Sequence, residues 1–303
     1  MKGLKKGEWF EIVVPKEWNG LSIESLLKEK WKAPKKLLHQ FRMEKSVQMN
    51  GKLLSNWKEL MTSGDRLQVR LFKEEDYGVE PEYLPISIVY EDDHLLIANK
   101  PAAMDTHPNH GEMGTLANAV AFHFQMNGLV TKVRHIHRLD RDTSGGILFA
   151  KHALAGASLD QMLEKRLITR TYIGFVHGLI KQNKGTIIAN IGRDRHHPTR
   201  RRVSKSGDYA VTHFEVLQRF EKSNVTLVKL KLDTGRTHQI RVHMSYLGHP
   251  LIGDILYGGK QEGIERQALH AERIQFVHPF TDEFIDIFIP WSKDLCQYKD
   301  ILY

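Results

Sequence analysis

Residues 73–85, Lys-Glu-Glu-Asp-Tyr-Gly-Val-Glu-Pro-Glu-Tyr-Leu-Pro, constrain the fold of this chain more than any other stretch. They are acidic, contain two prolines and show no apolar period, so neither a helix nor an inner strand is expected to run through them. This is the composition of a linker. It divides the 303 residues into a short unit, 1–72, and a long one, 86–303.

In the short unit, residues 11–14 read as a strand, and Ile23, Leu26, Leu27 and Trp31 recur at helical spacing. A second short helix is expected from Pro34 through Leu37, Leu38 and Phe41, with proline in its first turn. Asn50-Gly51 predicts a tight hairpin, and Gly64-Asp65 introduces a last strand over 67–71. The two helices carry Lys28, Lys30, Lys32, Lys35, Lys36, Arg42 and Lys45, which predicts a basic face. Beyond the linker, strands are expected over 86–90, 95–98, 170–176, 210–217, 225–232 and 284–289. Helices are expected over 116–125 and 155–165. Many strands with few helices imply an α+β domain: a largely antiparallel mixed sheet with flanking helices.

Charge narrows the partner. Lys plus Arg number 44 against 36 Asp plus Glu, a net of +8 that suits a polyanion. The single cysteine, Cys296, excludes an internal disulfide and a thiolate zinc cluster, and fits a reducing compartment. No run approaches the roughly 18 apolar residues of a membrane helix. The basic N-terminus has no apolar stretch and cleavage site after it, so a cytoplasmic protein is expected.

The chemistry concentrates in His137-Arg138-Leu139-Asp140-Arg141-Asp142-Thr143-Ser144-Gly145-Gly146. A strand starting at Gly146 leaves the acidic residues in the turn at its mouth, where a rigid sheet presents reacting groups. The glycine pair allows close approach of a backbone or a ligand. Asp140 and Asp142 compete as the working carboxylate on spacing alone. The run resembles the His-Arg-Leu-Asp-x-x-Thr-Ser-Gly signature of RluA-type pseudouridine synthases. Further segments resemble the same family in order. Tyr90 to Pro101 is similar to its first strand pair and Lys-Pro turn, and Arg170 to Gly178 to its tyrosine-bearing strand. Thr234 to His243 is similar to its arginine motif, and His249 to Asp254 with Tyr257-Gly258 follows in the family's order. Leu269-His270-Ala271 with Phe276 to Pro279 is similar to its last motif. One departure is Ala102-Ala103-Met104-Asp105, which stands where a glycine-containing turn is commoner. In the short unit, V-x-x-N-G-K and G-D-x-L-x-V resemble the ribosomal-protein S-four-like RNA-binding domain. The usual Ser-Arg of the second helix is replaced there by Ala33-Pro34-Lys35-Lys36.

The resemblance implies isomerisation of specific uridines in structured RNA, ribosomal or transfer, with the base flipped out and no cofactor or metal. It implies Asp140 as the catalytic carboxylate and Arg241 as its guanidinium partner. Tyr172 would stack on the base and move a proton, Leu269 would wall the uracil, and Arg138 would fill the space the base leaves. Arg236 and the basic run with Arg200, Arg201 and Arg202 would hold RNA, as would Lys35 and Lys36. RNA rather than DNA, and a monomer, are expected. The bland readings are a solvated lysine face, a solvated basic loop, Tyr172 and Leu269 as packing, and Arg241 on an alternating surface strand. His135-x-His137, His107-x-x-His110 and His238 with His243 invite a metal reading but lack the usual three or four ligands. The rival functions are a non-catalytic RNA-binding or ribosome-assembly factor and an Asp/His hydrolase.

Overall fold

The computed structural model describes residues 3–109 and 111–302. The first unit is an antiparallel sheet of β1 (Leu4–Lys6), β2 (Trp9–Val13), β3 (Val47–Met49), β4 (Lys52–Leu53) and β5 (Arg66–Arg70), in the order β1-β2-β5-β3-β4. Asn50 and Gly51 both have positive φ, 51° and 79°, as the tightest hairpin turn requires. Helix α1 (Lys35–Met43) follows Pro34, its N-cap, and buries Leu37, Leu38 and Phe41. The first expected helix takes a different form. A single turn, Ile23–Ser25, is capped by the Ser22 hydroxyl and runs into Leu26–Lys30, wound as a π-helix. Trp31 N donates to Leu26 O at 2.9 Å, five residues back.

The second unit contains β6 (Ser87–Glu91), β7 (Leu95–Lys100), α2 (Leu116–Met126), β8 (Arg134–His135), β9 (Ser144–Ala150) and α3 (Ala153–Glu164). There follow β10 (Thr169–His177), β11 (Lys184–Ile188), the small hairpin β12 (Ile191–Arg193) and β13 (Arg201–Val203), β14 (Val211–Phe220) and β15 (Val225–Leu232). Helix α4 (Gln239–Tyr246), β16 (Leu269–Val277), β17 (Phe284–Phe288) and α5 (Lys293–Ile301) complete it. The main sheet runs β11-β14-β15-β10-β16-β9-β7-β6, with β17 attached to β16 and β8 to β9. This is the α+β class with a mixed sheet. The pairings are antiparallel apart from β9 with β16, where Ser144 faces His270 and Gly145 faces Ala271. Gly145 has φ 120°, and a Cβ there would lie 2.4 Å from Ala271 O, so this join requires glycine.

Side chains alternate across the strands. Leu96 and Ala98 of β7 and Phe149 of β9 share one core with Tyr172 and Leu269. Leu95 and Ile97 of β7 and Leu148 of β9 point to the other face, and their core is continuous with that of the N-terminal unit. Phe10 meets His94 with ring centroids 4.5 Å apart, and Trp31 meets Phe280 at 5.3 Å. Ser158 Oγ donates to Trp31 O, and Lys30 pairs with Asp282 at 3.0 Å.

Residues 73–85 hold no helix or strand, in keeping with their composition, yet they are tied down. Val133 N donates to Tyr77 O at 2.9 Å, Glu82 N to Asn118 O at 3.1 Å, and Arg134 pairs with Glu75. The stretch around Arg241 is a buried helix, not an alternating surface strand. Among the described residues, no helix is long and apolar enough to cross a membrane.

Candidate active site

Asp140 sits in the tight loop between β8 and β9, and two neighbours clamp that loop. Thr106 Oγ1 accepts from Leu139 N and donates to Leu139 O, both at 3.2 Å. Lys100 is fully buried and its Nζ donates to three carbonyls: Pro101 O at 2.8 Å, Met104 O at 2.6 Å and Arg141 O at 2.7 Å. Burial pushes its ammonium down to about 7, while Asp105, Asp142 and Asp140 pull the other way. The 101–105 turn needs a left-handed residue, and Ala103 supplies it with φ 61°. That explains why glycine is the commoner choice at such a turn.

Arg241 enters from α4. Its Nε and Nη2 donate to the two oxygens of Asp254 at 2.7 and 2.8 Å, leaving Nη1 3.3 Å from Asp140 Oδ2. The Tyr257 ring lies under the guanidinium, 4.9 Å from its carbon. Burial opposes the Arg241 charge, but the bonds and attraction of Asp254, then Asp140, outweigh it and raise its pKa. A fork fixed at both ends orients a carboxylate better than an ammonium does.

Tyr172, 3% exposed, and Leu269, 4% exposed, project from β10 and β16 into the same cleft. Burial pushes the Tyr172 phenol up, Arg170 opposes this and Asp140 reinforces it, so the hydroxyl stays protonated. The cleft has two lobes of about 740 and 770 Å³. Arg138, Asp140, His238 and Arg241 line both lobes, while Tyr172 and Leu269 line the first. Asp142 lies only in the second, its backbone oxygen accepting from Arg266 Nη1 at 2.9 Å. The two competing carboxylates thus differ in place: Asp140 is the one beside Tyr172 and Arg241.

The expected RNA contacts scatter. Arg138 is exposed at the junction of the lobes. Arg236 is exposed on the rim, its Nε donating to Tyr209 O at 3.2 Å. Arg200 is paired with Asp194 at 2.6 Å, and Arg202 is exposed. Arg201 lines the second lobe, and its backbone N donates to Tyr257 Oη at 2.9 Å. Lys35 and Lys36 are exposed on α1 and line neither lobe. The histidine pairs have other partners. His135 stacks on His107 at 4.6 Å, His137 Nε2 accepts from Leu148 N, and His243 bonds Thr212 Oγ1 and Ala189 O. His110 lies outside the described residues. Among those described, no three His, Cys, Asp or Glu groups are arranged to hold a metal ion.

Residues 94–246 match the family described as RNA pseudouridylate synthase. An uncharacterized RNA pseudouridine synthase of Bacillus subtilis, YhcT, is 49% identical over 292 residues, covering 96% of each chain. Residues 10–67 match the RluD ribosomal pseudouridine synthase N-terminal domain. The chain is an RluA-type RNA pseudouridine synthase. Ribosomal large subunit pseudouridine synthase D of Vibrio cholerae is 36% identical to it over 275 residues, covering 86% of this chain and 84% of that one. Among solved structures, human RNA pseudouridylate synthase domain containing 1 covers 74% of this chain and 97% of its own, at 28% identity and a TM-score of 0.57.

Asp254, Lys100, Thr106, His238 and Tyr257 escaped assignment from sequence. Asp254 and Tyr257 stood inside the His249–Gly258 segment, and Lys100 inside the Lys-Pro turn, but spacing alone does not reveal what a side chain touches.

Proposed function

We propose that this synthase isomerises specific uridines of ribosomal RNA, with the target base flipped from its stack and Asp140 as the reacting carboxylate. The observation that carries the reading is the placement of Asp140 Oδ2 3.3 Å from Arg241 Nη1, in the cleft that Tyr172 and Leu269 also line. Relatives named ribosomal large subunit pseudouridine synthase D support the ribosomal target over a transfer RNA. The proposed enzyme is a cytoplasmic monomer acting on RNA rather than DNA.

The reaction breaks the C1′–N1 bond, turns the uracil, forms C1′–C5 and moves the C5 proton. No electrons enter or leave. Asp140 acts on the ribose, by attack at C1′ or by removal of the C2′ proton. Either route needs the carboxylate held in one orientation, which the Arg241 fork provides. Tyr172 stacks on the uracil opposite Leu269. Because its hydroxyl is protonated, it relays the C5 proton by giving its own to solvent water as it accepts, and N1 of the turned uracil takes a proton back from water, so none is gained or lost. Unstacking costs a few kcal/mol, and Arg138 occupies the vacated space while the basic hairpin holds phosphates.

The test maps pseudouridines by carbodiimide chemistry across total RNA from cells lacking the gene, with wild type or Asp140→Asn restored. A ribosomal uridine whose modification returns only with wild type is expected. A transfer-RNA site would move the substrate; recovery with Asp140→Asn would remove the catalytic assignment. No lost site at all would favour a binding factor.

A further inference from the structure

Beyond Asp140, Arg241 and Tyr172, one strained residue faces the reacting carboxylate. His238 precedes α4 with φ 58° and ψ 21°, left-handed without being glycine, a conformation costing about 1–3 kcal/mol. The surrounding turn over-determines it. Gln239 Oε1 accepts from Thr234 Oγ1 at 2.8 Å and from Arg236 N at 3.0 Å, while Gln239 Nε2 donates to Val211 O at 2.9 Å. The strain aims the imidazole in two directions. Nδ1 lies 2.8 Å from Tyr257 Oη, and Nε2 lies 3.8 Å from Asp140 Oδ2.

Tyr257 decides which ring nitrogen carries the proton. Its oxygen already accepts from Arg201 N at 2.9 Å, so its own hydrogen is free to go to Nδ1 of His238. Neutral imidazole then carries its proton on Nε2, facing the carboxylate. The same tyrosine ring supports the Arg241 guanidinium, and Arg201 begins the returning strand of the basic hairpin. Hairpin, guanidinium and imidazole therefore meet on one phenol.

We propose that His238 is a positioning residue for Asp140, its tautomer fixed by Tyr257, which ties it to the basic hairpin through Arg201. Arg241 and His238 approach the same oxygen, Asp140 Oδ2, so the other oxygen is left to face the ribose. This rests on Asp140 being the reacting carboxylate.

Tyr257→Phe keeps the ring under Arg241 and removes only the hydroxyl; His238→Gln removes the imidazole. Both would be compared with wild type and Asp140→Asn for single-turnover tritium release from C5-tritiated uridine in unmodified ribosomal RNA. RNA affinity and thermal midpoint would be measured beside the rate. Each variant is expected to slow the chemical step about tenfold or more, with RNA affinity within about twofold of wild type. The double variant should be no slower than the slower single, since both act through one bond. Ring-nitrogen NMR of His238, assigned by its loss in His238→Gln, should show the Nε2–H form in wild type and a changed or mixed tautomer in Tyr257→Phe.

A wild-type rate in either variant, or an unchanged tautomer in Tyr257→Phe, overturns the proposal. So does a rate loss matched by equal losses of affinity and thermal stability, which would mean a structural role only. If Asp140→Asn itself turns over, the catalytic assignment falls, and that arm separates the two failures.

Discussion

At the residue scale, the Asp140 loop was legible through its resemblance to the His-Arg-Leu-Asp-x-x-Thr-Ser-Gly signature. A run of charged groups before a buried strand reads equally as a solvated turn, and the resemblance to the family signature is what singled out Asp140 over Asp142, while Gly145 does make the close backbone approach its type suggests. Arg241 was legible as a residue but not in its setting. In Gln239–Tyr246, the apolar Ile240, Val242 and Met244 alternate with polar residues, which reads as a half-buried strand. The segment is a helix whose residues from Gln239 to Met244 are all buried, so it has no solvent face to give a helical period. Asp254 was hidden because its role exists only across space. This geometry makes Arg241→Lys a harsh change despite the conserved charge. An ammonium cannot bridge both Asp254 oxygens while also reaching Asp140. The single-turnover rate is expected to fall about 100-fold or more, comparable to losing one oriented donor at a reacting centre. RNA affinity should hold within a few-fold, because Arg241 is buried beneath the surface that RNA would meet. A rate near wild type would show that the fork is not what orients the carboxylate.

At the element scale, several strands and the Asn50-Gly51 hairpin followed their sequence signals, whereas the edge strand β11, the inner strand β16, the last helix α5 and the anchoring of loops did not. The Asn50-Gly51 turn, β15 over 225–232 and the first turn after Pro34 came from local chemistry that any segment carries with it. The first helix of the N-terminal unit had the right apolar spacing but winds wider, because a period of three to four residues does not separate an α-turn from a π-turn. Lys100 shows what local reading misses altogether. A lysine at the end of β7 would ordinarily be placed in solvent, yet here it joins the 101–105 turn to the Asp140 loop through three carbonyls. Lys100→Met keeps the length and burial but leaves those carbonyls without their donor. A loss of about 3 kcal/mol in unfolding free energy is expected, read by urea denaturation. Activity at a temperature where the variant is folded should fall as well, since Arg141 O adjoins Asp140. Full activity in the folded variant would show that the Asp140 loop holds its geometry without this tie.

At the scale of the whole molecule, the two units differ from a pair of beads on a string. Their sequences separate them cleanly at 73–85, and nothing in either half announces that Phe10 and Trp31 will share a core with Phe280 and Ile274. Docking depends on shape, and shape is assembled only after each half folds. Truncation at residue 72 would therefore strip Phe10 and Trp31 from the rings of His94 and Phe280 and open the shared core. The seam also holds a set of histidines. His94 is 4% exposed, its Nδ1 lies 2.9 Å from His152 Nε2, and it stacks on Phe280 at 4.5 Å. Burial pushes His94 down to about 3, with Asp92 opposing and His278 and Lys151 assisting, and burial holds His152 well below its ordinary value. In the unfolded chain both titrate near 6.5. Between that value and the folded ones the unfolded state binds more protons, so stability is full above 6.5 and declines as pH falls. The slope contributed by each histidine approaches about 1.4 kcal/mol per pH unit once the unfolded form is protonated. Urea denaturation at pH 7.5 and at pH 5.0, followed by tryptophan fluorescence, should give a clearly lower midpoint at the acidic pH. Trp18 and Trp31 are buried in the core that reaches the seam, so their signal should change at the lower urea concentration. Equal midpoints at the two pH values would mean that water reaches these imidazoles and that the two units part easily.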